Sequence, residues 1–280
     1  MNMPASAHRI TVPLLSSYKS KQRRISAITA YDYTMARLAD LAGIDLILVG
    51  DSLGCVVKGE PNTLSVTLDE MLYHVRCVTR AAQHALVVAD MPFMTYQVSV
   101  QEALRNAGRL VKESGAAAVK LEGGVAIQET IARLTEIDIP VVGHVGLTPQ
   151  SYHRMGGHKL QGKKSSLSNS SAGSAERIIA DALAVEEAGA FALVIEGVPA
   201  DLAAEITRRV KIATIGIAAG SECDGQIMVG PDLLGLNVEN LPSFVKPYAN
   251  LGEQAIQAIS KFHQSVNFSA ANTQEQKIYV

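Results

Sequence analysis

No uninterrupted apolar stretch of this chain approaches the roughly 20 residues that a membrane-spanning helix needs, although 48% of its 280 residues are hydrophobic. An excess of one charge is lacking too: 25 Lys and Arg stand against 27 Asp and Glu, a formal net charge of −2. That near-balance gives no electrostatic case for nucleic acid or an anionic membrane as partner. Cysteine is scarce. Cys55, Cys77 and Cys223 are far apart, odd in number and outside any C-x-x-C spacing. They exclude a disulfide framework, offer little to a zinc cluster, and read as small core or near-core residues in a reducing compartment. MNMPASAHRITVPLL has no basic segment followed by an apolar block and a cleavage site, so no secretory leader is expected. These absences lead to the expectation of a cytoplasmic protein with ample chain for a large core.

What is present is an alternation. Strand-length apolar runs at 25–31, 46–52, 86–93, 117–124, 140–147, 191–198, 213–220 and 226–229 are interleaved with helical patterns at 34–43, 67–83, 99–115, 126–137, 175–189 and 200–210. In 34–43 the periodicity puts Met35, Leu38 and Ala42 on one face, and Thr67 with Glu70 has the spacing of a capping box. About eight strands, in a chain close to the roughly 250 residues typical of the fold, predict an α/β protein, a (β/α)₈ TIM barrel. One domain over 1–280 is expected, with a short extension at about 1–24, a last helix at 251–266 and a polar, disordered tail at about 267–280. A doubly wound open sheet alternates in the same way, but no G-x-G-x-x-G follows the first strand, which weakens its dinucleotide-binding form. SSLSNSSAGS (165–174) predicts a mobile loop inside a long connection.

The polar residues fall at strand ends: Asp51, Asp90, Lys120 with Glu122, His144, and Glu196 on five consecutive strands. In a barrel those ends converge on one face, where such folds place their chemistry. Singly, each has a plainer reading: a turn or helix cap for an aspartate, a snorkelling stem for Lys120, a half-buried His144. Together, Asp51, Asp90 and Glu122 need a counter-ion, and an all-oxygen set suits Mg²⁺ or a similar divalent cation. Glu196, flanked by apolar residues that would desolvate it, is read as a proton-abstracting base, with a further metal ligand or a helix cap as alternatives. GIAAG (216–220) has no neighbouring basic residue and is read as close backbone packing rather than a phosphate cradle.

ITAYDYTMARLADLAGIDLILVGDSLG, VVADMPFMTY, VKLEGG, PVVGHVGLTPQ, LVIEGVP and IGIAAGSECDGQIMV, in this order over about residues 10–265, resemble ketopantoate hydroxymethyltransferases. The resemblance implies a barrel enzyme, a homodecamer of two pentamers. It also implies transfer of a hydroxymethyl group from 5,10-methylenetetrahydrofolate to 3-methyl-2-oxobutanoate, on the route to pantothenate. By resemblance Asp51, Asp90 and Glu122 bind Mg²⁺; Asp51, Ser52, Asp90 and Lys120 bind the 2-oxo acid; Glu196 accepts the proton; and His144 neighbours the site. Two departures are visible: IGIAAG has Ala where the family commonly shows Gly, and the serine-rich stretch is long. A carbon–carbon lyase of the isocitrate-lyase type would want a KKCGH-like loop, which is absent. A metal-binding scaffold without turnover is the non-enzymatic alternative.

Overall fold

The computed structural model describes residues 8–163, 174–238, 241 and 245–269. Contacts divide the chain into two compact units, Met1–Val229 and Gly230–Val280. The first holds eight parallel strands closed into a barrel in sequence order, β1-β2-β3-β4-β5-β6-β7-β8: β1 (Ile25–Thr29), β2 (Leu46–Val49), β3 (Leu86–Asp90), β4 (Ala118–Glu122), β5 (Val141–Gly146), β6 (Ala192–Glu196), β7 (Ala213–Ile217) and β8 (Gly225–Met228). Pairing of β1 with β8 closes the ring, which settles the competition with an open sheet.

Helices α1 (Val12–Ser16), α2 (Tyr33–Leu41), α3 (Leu53–Val56), α4 (Leu68–Ala81), α5 (Val100–Ser114), α6 (Gln128–Glu136), α7 (Tyr152–Met155), α8 (Ala175–Glu187) and α9 (Ala200–Arg209) complete this unit. β7 passes to β8 through residues 218–224 without a helix. The predicted capping box is formed: Thr67 Oγ1 accepts from the Glu70 amide and the Glu70 carboxylate accepts from the Thr67 amide. α5 stops at Gly115, whose φ of +77° suits the left-handed turn that ends a helix. The second unit holds α10 (Gly230–Leu233) and α11 (Leu251–Ser269). α11 thus extends into the tail beyond 266; residues 270–280, and 165–173 of the serine-rich stretch, lie outside the described residues, and Ser174 caps α8.

The barrel interior follows a period of two, because successive strand residues face opposite sides. Ile25 and Ala27, Leu46 and Leu48, Leu86 and Val88, Ala118, Val142, Ala192 and Val194, Ala213 and Ile215, and Ile227 form one buried cluster. Leu15 and Tyr18, from α1 and its C-terminal turn, belong to the same cluster, so the segment expected as a mere extension helps fill the core. Two residues further along the same strand faces stand Asp90, Lys120, His144 and Glu196.

The face predicted for α2 is corrected. Leu38 and Ala42 are exposed, and the buried side is Ala36, Ala39 and Asp40. Asp40 lies inside because its carboxylate accepts the amides of Gln83 (3.0 Å), His84 (2.8 Å) and Ala85 (2.9 Å). Burial opposes ionisation there, but those three amides hold the carboxyl below the usual range. Asp40→Ala should therefore cost about 2–4 kcal/mol, since a lost acceptor leaves amides unsatisfied. Denaturant unfolding checks this, and a loss below about 0.5 kcal/mol contradicts the assigned role.

Candidate active site

Adjacent strands align the polar residues. Asp90 pairs with Lys120 and Glu122 with His144 across the ladders, and Gly146 pairs with Glu196. Lys120 Nζ lies 2.9 Å from Asp90 Oδ1, 3.2 Å from His144 Nδ1 and 4.0 Å from Glu122 Oε1. The Lys120 side chain is 5% exposed, so it does not snorkel. His144 Nδ1 is 3.6 Å from Glu122 Oε1, and its Nε2 is 3.3 Å from Glu196 Oε2. Asp90, Lys120, Glu122, His144 and Glu196 thus form one chain of contacts across four strands.

Asp51 joins this chain from the loop after β2. Its amide donates to Asp90 Oδ2 at 2.8 Å. Gly50 permits the approach, for a Cβ there would stand 2.8 Å from Ser52 Oγ and 3.4 Å from Asp90 Oδ2. Ser52 Oγ is 2.8 Å from the Tyr31 hydroxyl. Glu196 does not cap α9, whose N-cap is Pro199. Its side chain is 17% exposed against 3% for His144, so it is less desolvated than the sequence suggests.

Two residues that sequence reasoning missed hold the carboxylates apart. The Gln150 side-chain amide donates to Asp51 Oδ2 (2.9 Å) and to the Met91 carbonyl (3.0 Å), while its backbone N–H donates to Glu122 Oε2 (2.9 Å). Gln150 Oε1 accepts from the Tyr96 hydroxyl (2.8 Å) and from Gln97 Nε2 (3.0 Å). The Tyr96 oxygen in turn accepts from the Glu122 amide at 3.1 Å. Both sit in stretches quoted above, MPFMTY and GLTPQ; no charge marks them out.

The electrostatics follow from three buried carboxylates sharing one ammonium. Burial, then the charges of Asp90 and Glu122, push Asp51 well above the usual carboxylate range. Burial also raises Asp90, against the pull of Lys120. Burial opposes ionisation of Glu122 as well, but His144, Lys120 and the Gln150 amide outweigh it and hold Glu122 low. Burial and Lys120 lower His144, yet Glu122 and Glu196 prevail and carry it up to about 9. Among the described residues no group of three or more His, Cys, Asp or Glu side chains is arranged as a metal cluster. Lys120 contacts Asp90 and Glu122, and Gln150 bridges Asp51 and Glu122.

A family model described as ketopantoate hydroxymethyltransferase matches residues 9–270. A 3-methyl-2-oxobutanoate hydroxymethyltransferase of Pelobacter propionicus is 53% identical over 267 residues, covering 95% of this chain and 96% of that protein. Its namesake from Moorella thermoacetica is 52% identical over 262 residues, covering 94% and 95%. The chain belongs to the ketopantoate hydroxymethyltransferase family. It is accordingly a transferase built on a TIM barrel. More distant structures share the fold alone. A phosphonopyruvate hydrolase solved with oxalate and Mg²⁺ has a TM-score of 0.60 at 16% identity, covering 92% of this chain and 87% of that one. A 2,3-dimethylmalate lyase of the PEP mutase/isocitrate lyase superfamily has 0.60 at 17%, covering 96% and 91%.

Gln150→Leu should destabilise the protein by about 1–3 kcal/mol, because buried polar partners lose their bonds. Gln150→Glu should cost more at pH 7, by setting a further carboxylate against Asp51. The difference between the two variants should shrink as the pH falls, starting above the roughly 4.3 of a free glutamate because burial and the neighbouring carboxylates favour the protonated form. Unfolding midpoints across pH test this; a Glu variant as stable as the Leu variant at pH 7 contradicts it.

Proposed function

We propose that this chain transfers a hydroxymethyl group from 5,10-methylenetetrahydrofolate to 3-methyl-2-oxobutanoate, yielding ketopantoate. The observation that carries this reading is the continuous run Asp90–Lys120–Glu122–His144–Glu196 at the C-terminal end of the barrel, in a chain over half identical to relatives named for that activity. Lys120 neutralises the carboxylate of the 2-oxo acid, and Asp51 and Ser52 orient it. Glu196 removes the proton from carbon 3, and His144, 3.3 Å away, holds the Glu196 carboxylate in place. One C–N bond of the folate's methylene bridge opens to an iminium, whose carbon the nucleophile attacks; water then replaces the remaining C–N bond, leaving its oxygen as the hydroxyl and its proton on the nitrogen of the released tetrahydrofolate.

The residues fit a divalent cation. Asp51, Asp90 and Glu122 are three hard oxygen donors gathered around one ammonium, which contacts Asp90 and lies 4.0 Å from Glu122. Asp51, Asp90 and Glu122 would hold Mg²⁺, which when bound supplies Lewis-acid stabilisation of negative charge on the keto oxygen. Asp51→Ala should weaken Mg²⁺ binding measured by calorimetry, and unchanged affinity removes Asp51 from the metal set. Glu196→Gln should retain 2-oxo acid binding while slowing deuterium exchange at carbon 3 by about 10²–10⁴-fold, the usual contribution of a general base. Undiminished exchange would sink the assignment.

A homo-oligomer, by resemblance a decamer, and a cytoplasmic setting complete the reading. Tyr33, Leu38 and Leu41 of α2 and Tyr73 of α4 are large apolar side chains left 43–64% exposed, as expected of surfaces that pack on other copies. Among the described residues no helix is long and apolar enough to cross a membrane. Light scattering on the purified chain should give a mass near ten protomers; a monomer overturns the assembly.

A further inference from the structure

Two loops at the mouth of the barrel are more specialised than the 2-oxo acid requires. The loop after β3 exposes Phe93, Met94 and Val98. It is fixed by its own hydrogen bonds: Thr95 donates to the Pro92 carbonyl through both its amide (3.1 Å) and its hydroxyl (2.7 Å). Asn106 Nδ2 donates to the Thr95 carbonyl at 2.7 Å. Within that turn Met94 stands at φ +65°, a left-handed conformation costly for a non-glycine residue, of the kind that concentrates at ligand sites.

The loop after β5 has the opposite character. It carries His153, Arg154, His158, Lys159 and Lys163, all exposed, and no Asp or Glu occurs between Asp138 and Glu176. Among the described residues no carboxylate pairs with Arg154, Lys159 or Lys163. The segment is tied down at both ends beside the site. Gln150 is bonded to Asp51 and Glu122, and the Gln161 amide donates to the Gly197 carbonyl, next to Glu196, at 2.8 Å. The two loops meet where Tyr96 and Gln97 donate to Gln150 Oε1. A rigid apolar turn therefore adjoins a basic strap across the mouth of an acidic interior.

We propose that these loops form the subsite for the one-carbon donor. The Phe93–Val98 turn takes its flat ring system, and Arg154, Lys159 and Lys163 take the carboxylates of its glutamyl tail. This rests on the hydroxymethyltransferase reading above. A small 2-oxo acid whose carboxylate meets Lys120 has no use for exposed cations, whereas a donor with a polyanionic tail does.

The test compares mono- and triglutamyl 5,10-methylenetetrahydrofolate as donors for the full chain. The triglutamate should have the lower KM, with the advantage eroding between about 50 and about 500 mM salt as exposed charges are screened. Arg154→Gln with Lys159→Gln should raise the triglutamate KM about five- to tenfold, the monoglutamate KM less, and kcat less than about threefold. Phe93→Ser should raise both KM values alike. Lys112→Gln, in the last turn of α5, is a charge control that should change neither. Equal KM values for the two donors, with an Arg154/Lys159 variant that matches wild type, overturn the subsite alone. A shift in oligomeric mass without a KM change assigns the strap to subunit contact and overturns it too. Wild-type protein that makes no ketopantoate from either donor overturns the underlying reading itself.

Discussion

Everything at the C-terminal end of this barrel is arranged around the Lys120 ammonium. It touches Asp90, lies within 4.0 Å of Glu122 and meets the His144 ring, with its side chain only 5% exposed. A buried ammonium is tolerable only with close counter-charge, and buried carboxylates only with a cation or donors. One lysine cannot balance three carboxylates. The remainder of the charge is handled by position and neutral donors: burial favours the protonated forms of Asp51 and Asp90, while Glu122 takes the Gln150 amide and the His144 ring.

This arrangement needs a rigid wall, and the barrel supplies it by dividing labour along its axis. The lower interior is apolar, filled by strand residues together with Leu15 and Tyr18. Hydrophobic burial there contributes stability that the charged layer cannot. Asp40 does comparable work outside the ring, fixing the turn into β3 through three amides. Chemistry at one end and closure at the other is the usual partition of this fold.

How much of this was legible in the sequence follows from the range of each interaction. Strand–helix alternation is local, so eight strands could be counted and a barrel inferred. The C-terminal end of each strand is local as well, so Asp90, Lys120, Glu122, His144 and Glu196 could be placed on one rim from the sequence. The α2 face was misread because periodicity weighs Leu38 above alanine. In the fold, Ala36 and Ala39 lie inward with Asp40, whose reward comes from amides more than 40 residues away. Gln150 and Tyr96 carry no charge, and the Gln150–Asp51 bond spans 99 residues. No motif spacing exposes a contact of that kind.

The departure in IGIAAG has a local consequence of its own. Ala218 adopts φ +49°, the left-handed region in which glycine pays no steric cost and other L-residues pay about 1–2 kcal/mol. The reading of the neighbouring glycines as packing residues agrees with their surroundings, since a Cβ on Gly220 would stand 2.5 Å from the Ala200 side chain. Chain direction after β7 is therefore enforced by close backbone approach on one side and held against a local penalty on the other. That penalty lies one strand away from Glu196, whose partner across the ladder is Ile217. The barrel mouth thus carries such a residue on each side, Ala218 beside the strand of Glu196 and Met94 in the loop that meets Gln150.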